Sequence, residues 1–172
     1  MPAPYQPLAI ANQFLTIANN ANISDVSPMK LQKLIYYAHA WYLALNSRPL
    51  INDRVQAWTF GPVVSDIYQS FKQWGNNPIT APATQVEFED GKLVSRTPYV
   101  DDDDQYIHDF LAEVWRVYGA LGPIQLSNMT HEAPSPSHDV ASQYDFKLPT
   151  NIDIRDELIE QRFREKLETG EA

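Results

Sequence analysis

Between Ser27 and Asn46 the chain carries a run in which only Lys30, Gln32, Lys33 and His39 are clearly hydrophilic after Met29. Ser27 is a good helix N-cap, and Pro28 suits the first helical position, where its missing N–H has no intrahelical partner to lose. A helix over 28–46 follows. Leu31, Leu34, Ile35, Ala38, Trp41, Tyr42 and Leu45 share one third of its circumference, but the far side is hardly polar either. A helix that is apolar on several faces belongs at the centre of a domain. Burying Leu31, Leu34, Ile35, Trp41 and Leu45 is worth roughly 1.5–3 kcal/mol each, more than any cap or surface charge nearby.

The other segments read as layers around that rod. A first helix is expected from about Leu8 to Asn19, with Ile10, Phe14, Ile17 and Ala18 at helical steps. Val55 to Phe60 is rich in strand formers and is expected to stop at Gly61-Pro62, with Pro62 opening a helix to about Trp74. Val86-Glu87-Phe88 and Lys92-Leu93-Val94 flank Asp90-Gly91, the dipeptide that tight hairpin turns favour. Asp101 to Asp104 precede an amphipathic pattern through Ile107, Phe110, Leu111, Val114, Val117, Tyr118 and Leu121, and complement the positive end of that helix. A shorter helix spans about Pro123 to Glu132. Residues 133–150 read as an irregular loop anchored by Tyr144 and Phe146. From Ile152 to Glu168 a charged helix bears the narrow edge Ile159, Phe163 and Leu167, which docks on its own domain or meets a partner. The expected fold is α+β and mainly helical: a single compact domain over 1–172, its core at about 8–168, with about six helices and a small antiparallel sheet or hairpin.

Composition removes several function classes. With 22 acidic against 13 basic residues and a net charge of −9, a broad phosphate-binding surface is disfavoured, so nucleic acid is an unlikely partner. There is no cysteine, hence no disulfide, thiolate metal site or Cys nucleophile. The opening residues lack the basic start of a signal peptide, and no membrane span is visible, which places the protein in the cytoplasm by expectation. The histidines His39, His108, His131 and His138 do not form the helical pair of a metalloprotease. Four adjacent aspartates point in different directions and suit a helix start better than a cation. Ser127, Ser135 and Ser137 near His131 lack the glycines of a nucleophile elbow. No pattern asks for a cofactor or a metal. Tyr36, Tyr37, Trp58 and Tyr68 are interface-type side chains that serve a core equally well. Lys33 stands out among them, because a lysine on an apolar helix needs water or a carboxylate.

The stretch Ser27-Pro28-Met29-Lys30-Leu31-Gln32-Lys33-Leu34-Ile35-Tyr36-Tyr37, the turn Arg48-Pro49-Leu50-Ile51, and Val55-Gln56-Ala57-Trp58-Thr59-Phe60-Gly61-Pro62-Val63-Val64 through Tyr68 together resemble the Panacea domain of SocA-like antitoxins. Leu126-Ser127-Asn128-Met129-Thr130-His131 is similar to the family's Leu-Ser-x-x-Thr-His stretch, although the Pro-Trp pair that usually follows is replaced by Ser135-Pro136-Ser137. The resemblance spans roughly residues 8–165. It implies an antitoxin that is not an enzyme: it neutralises a cognate protein toxin encoded nearby through direct stoichiometric binding. An adaptor delivering the toxin to a protease is the alternative, and a metal-dependent or serine hydrolase built on His131 is a more distant one. A homo-oligomer is left open. The family motif carries over to Lys30, Leu31, Gln32, Lys33, Tyr36, Tyr37, Trp58, Gly61, Pro62, Val63, Tyr68, Thr130 and His131, as scaffold or partner contacts. On charge and amphipathicity, the expected toxin-facing surface lies on the helices at 101–121 and 152–168.

Overall fold

The 28–46 rod runs through the core, and most of the other helices pack against it. The computed structural model describes residues 3–170; Met1, Pro2, Glu171 and Ala172, the ends of the expected domain, lie outside the described residues. Helix α1 is Pro7–Asn20 and helix α2 is Pro28–Asn46. Ser27 accepts a hydrogen bond from the Lys30 N–H as the N-cap of α2, and Ser47, in the left-handed region at φ 55°, ends it. Leu31, Leu34, Ile35, Ala38 and Tyr42 are buried as their stripe requires, whereas Leu45 is 55% exposed. The expectation that Leu45 is buried fails because it lies in the last turn, where the helix leaves the core. The hydrophilic set meets the opposite fate: Lys30, Gln32, Lys33 and His39 are all buried.

Strands β1 (Val55–Trp58) and β2 (Gly61–Val63) form an antiparallel hairpin, with Ala57 opposite Pro62. Pro62 therefore continues a sheet rather than opening a helix, and α3 starts later, at Ser65, and runs to Phe71, with a 3-10 turn to Trp74. Proline is tolerated in β2 because that strand is a sheet edge and no neighbour asks for the missing N–H. Strands β3 (Gln85–Glu89) and β4 (Lys92–Arg96) make the expected second hairpin. Helices α4 (Gln105–Tyr118) and α5 (Pro123–His131) follow, with Asp104 capping α4 by accepting from the Ile107 N–H and also accepting the Tyr5 hydroxyl at 2.7 Å.

The stretch 133–150 is not wholly irregular. It contains α6, Pro136–Ser142, capped by Ser135, which accepts from the His138 N–H. Ser135-Pro136 repeats the Ser-Pro start of α2, so the sequence carried the signal in a segment too short to show apolar periodicity. Val140 and Ala141 hold this segment, while Phe146 is largely exposed and Tyr144 partly so. A two-residue strand, β5 (Asp153–Ile154), then pairs with the outer side of β1, giving a three-stranded sheet in the order β2-β1-β5. Helix α7 (Asp156–Thr169) closes the chain. The fold is a mainly helical α+β single domain with seven α-helices among the described residues, one more than expected because of α6.

The apolar edge of α7 docks on its own domain. Phe163 enters an aromatic cluster edge-on to Trp41 at 4.9 Å, to Tyr36 at 5.9 Å and to Tyr37 at 6.0 Å, while Tyr37 stacks on Tyr118 at 4.2 Å. Trp41 Nε1 donates to the Tyr118 hydroxyl at 2.7 Å; burial pushes the Tyr36 and Tyr37 hydroxyls well above their usual range and raises that of Tyr118, against the lowering effect of the Trp41 bond. At the N-terminal end of α7, Asp156 Oδ1 lies 2.9 Å from His39 Nε2. No helix among the described residues is long and apolar enough to cross a membrane.

Candidate functional site

The first turns of α2 reach sideways into three other elements. Lys30, fully buried, donates from Nζ to Asp25 at 2.8 Å and to the Gly119 carbonyl at 2.6 Å, and lies 5.5 Å from the Trp115 ring centre. Leu31 faces the core. Gln32 clasps one residue of main chain: its Nε2 donates to the Val64 carbonyl and its Oε1 accepts the Val64 N–H, both at 3.0 Å. That pair of bonds fixes the place where β2 ends and α3 begins.

Lys33 is 1% exposed, and its amine donates to the Pro62 carbonyl at 3.1 Å. Among the described residues no carboxylate pairs with it. Burial alone pulls its pKa from 10.5 down to about 7. Gly61 packs directly over this amine. Its φ of +108° is a conformation that side chains with a Cβ rarely adopt, and a Cβ there would lie 2.5 Å from Thr130 Oγ1 and 3.1 Å from Lys33 Cε and Nζ. Gly61→Ala is expected to lower stability by about 1–3 kcal/mol, read as a shift in the urea midpoint, because it adds backbone strain to a steric conflict.

The third side of the junction is α5. Ser127 Oγ donates to the Phe60 carbonyl at 2.7 Å, Thr130 Oγ1 donates to the Ser127 carbonyl at 2.6 Å, and Ser135 Oγ donates to the Thr130 carbonyl at 3.0 Å. His131 is hydrogen-bonded to the Thr59 main chain, and its pKa is lowered by burial and then by the charge of Lys33. The residues of Leu-Gln-Lys-Leu, of Thr-Phe-Gly-Pro-Val and of Leu-Ser-Asn-Met-Thr-His thus converge on one point, although the chain separates them widely. Thr59, Phe60, Val64 and Ser127 complete this junction; no sequence pattern singled out their roles, since three of them act through the main chain.

Of the expected site residues, Tyr36 and Tyr37 lie apart, in the aromatic cluster with α7. Trp58 and Tyr68 face outward, their ring centres 4.9 Å apart, with Trp58 Nε1 donating to Gln56 Oε1 at 3.1 Å. They stand with Met29, Gln32, Lys33 and Val63 around a cleft of about 620 Å³ that is closed on its far side by the loop Leu148–Asn151. That loop gave no sign of this role in the sequence.

A second surface lies on the β3–β4 hairpin. Opposite pairing of Val86 with Ser95 and of Phe88 with Leu93 puts Val86, Phe88 and Leu93 on one face, where they are 68%, 72% and 75% exposed. The half-buried residues Gln85, Glu87 and Val94 lie on the other face, where Arg96 pairs with Glu87 and Glu89. An antiparallel sheet with one wet side ordinarily turns its polar face outward. This hairpin does the reverse.

The chain thus combines a polar junction tied off by main-chain bonds with a hairpin whose apolar face is turned outward. The family profile "Antitoxin SocA-like, Panacea domain" matches residues 31–136, and the chain belongs to that family. A protein of Caulobacter vibrioides (strain NA1000 / CB15N), described as antitoxin SocA, is 32% identical over 156 residues, covering 91% of this chain and 81% of the relative. No solved structure matches the chain.

Proposed function

We propose that the protein neutralises a cognate toxin, encoded nearby, by direct stoichiometric binding in the cytoplasm, without turnover of its own. The observation that carries this reading is the hairpin: three large apolar side chains held out to solvent on a two-stranded sheet that has little stability alone. The antitoxin described for the 32% identical relative says what kind of partner would cover them. The serine-hydrolase alternative has less support, since Ser127 and Ser135 direct their hydroxyls at main-chain carbonyls and not at His131. On the terminal helix Ile159 and Phe163 are buried in this chain's own core, which leaves Leu167 as the exposed part of that apolar edge and favours the hairpin over it.

Expression of the neighbouring reading frame alone should arrest growth, and co-expression should rescue it and yield a co-purifying complex. In that complex the double substitution Phe88→Glu and Leu93→Glu is expected to weaken binding at least about 30-fold, as loss of a central apolar anchor does. Both sites are exposed, so the melting temperature should hardly change. Undiminished affinity in the variant would remove the hairpin from the interface. A toxin that disappears faster only when a protease is present would favour the adaptor role instead.

A further inference from the structure

Antiparallel strands alternate between pairs that exchange main-chain hydrogen bonds and pairs whose N–H and carbonyl groups point away from the neighbouring strand. Asp90 and Gly91, at φ 49° and 76°, form the two-residue turn in which the flanking pair, Glu89 with Lys92, is hydrogen-bonded. Counting back from that pair, Glu87 with Val94 is bonded as well, whereas Phe88 with Leu93 and Val86 with Ser95 are not. The N–H and carbonyl groups of Val86 and Phe88 therefore point out along the free edge of β3, and no partner for them is found among the described residues. The residues that carry the exposed apolar face thus carry an unpaired edge too. At the root, the buried Asn12 donates to the Ala83 and Pro98 carbonyls and accepts the Ala83 N–H, each at 2.9 Å, which ties both ends of the hairpin to α1. A preformed two-stranded sheet of this kind is short of a third strand.

We propose that an extended segment of the toxin adds to β3 as that third strand, bonding through its main chain to Val86 and Phe88; the inference rests on the hairpin being the toxin-facing surface. The edge of β4 is the poorer template. It offers Ser95 in place of a second large apolar side chain, and it is flanked by Lys92 and Arg96, charges of the kind that keep other strands off a sheet edge. Beside β3, the incoming strand meets Val86 and Phe88 on one face and the carboxylates of Glu87 and Glu89 on the other, where the single guanidinium of Arg96 answers both. A strand that alternates apolar with basic residues complements both faces. A second copy of this chain does not fit, because pairing β3 with β3 through both edge residues sets the two Glu87 carboxylates opposite each other.

The test titrates purified toxin from the neighbouring reading frame into variants of the full chain. Val86→Pro removes an outward N–H and leaves the bonds between β3 and β4 in place, while Val86→Ala keeps the N–H and removes more of the side chain. Ser95→Pro makes the same change on the edge of β4. Val86→Pro is expected to bind about tenfold more weakly than Val86→Ala, or worse, because a carbonyl of the added strand is left unpaired, and Ser95→Pro to change binding less than about twofold. In the native chain the Val86 and Phe88 amides should exchange quickly when free and about tenfold more slowly, or less, in the complex, a readout that decides the matter if the proline variant loses its hairpin. Equal binding by Val86→Pro and Val86→Ala, or edge amides that stay fast in the complex, would overturn strand addition; if Phe88→Glu with Leu93→Glu still weakened binding, the hairpin would remain the interface through its side chains alone. Undiminished binding by that double variant would remove both readings at once. A free chain whose Val86 and Phe88 amides become protected as its own concentration rises would show a second copy on this edge and overturn the proposal.

Discussion

Phe163→Ala is expected to lower the stability of the domain by about 3–5 kcal/mol, the range for removing a buried aromatic side chain and leaving its cavity. Phe163 is 1% exposed and stands edge-on to Tyr36, Tyr37 and Trp41, so the cavity would open at the seam between α7 and the central helix. The seam has few substitutes. Beyond Phe163 and Ile159, α7 is held by the partly buried Leu158 and by polar contacts: Asp156 with the buried His39, Arg162 with Asp139 at 2.6 Å, and Arg164 with the Ala44 carbonyl and Ser47. The half-exposed arginine pairs contribute about 0–1 kcal/mol each and do not replace a ring. The expected readout is a lower urea midpoint together with early hydrogen exchange over 156–169. An unchanged midpoint would show that α7 is an ornament on the fold and not part of it.

Lys33→Met is expected to act in the opposite direction and to remove a pH dependence. The Lys33 pKa lies near 7 in the folded protein and near 10.5 in the unfolded chain, so between those values the unfolded state binds the extra proton and stability rises with pH. Below about pH 7 both states are protonated and this contribution is flat. From pH 7 to 9 the native chain should gain roughly 2 kcal/mol from this group, and on the order of 4 kcal/mol if followed past pH 10. Methionine has no such proton. The variant should be at least as stable as the native chain at pH 6, where the lysine is buried charged, and should lack the rise that the native chain shows above pH 7, when the two are compared in urea at matched pH. Parallel curves for the two proteins would mean that Lys33 is hydrated in solution.

How much of this was readable in the sequence follows from what each signal depends on. The central helix was legible end to end because capping, periodicity and apolar content agree over Ser27 to Asn46, and the Asp90-Gly91 hairpin was legible because its turn chemistry is local. Pro62 misled because proline starts helices and also sits on sheet edges, and only the pairing with Ala57 decides between them. The strand Asp153–Ile154 and helix α6 are too short to show a period. Lys33 could be flagged as anomalous, but the Pro62 carbonyl and the cleft beside it are products of tertiary placement. The same holds for the exposed hairpin face: its alternation was visible, its orientation was not.

The claim at the centre is that the protein acts by occupying its toxin and not by changing it. Titrating the purified toxin's own activity with purified antitoxin tests that most directly. The account predicts a linear fall to zero at one equivalent, with full activity returning when the two are separated under denaturing conditions and the toxin is refolded. Complete inactivation by a small fraction of an equivalent, with a toxin that stays inactive after separation, would contradict it and make the protein an enzyme.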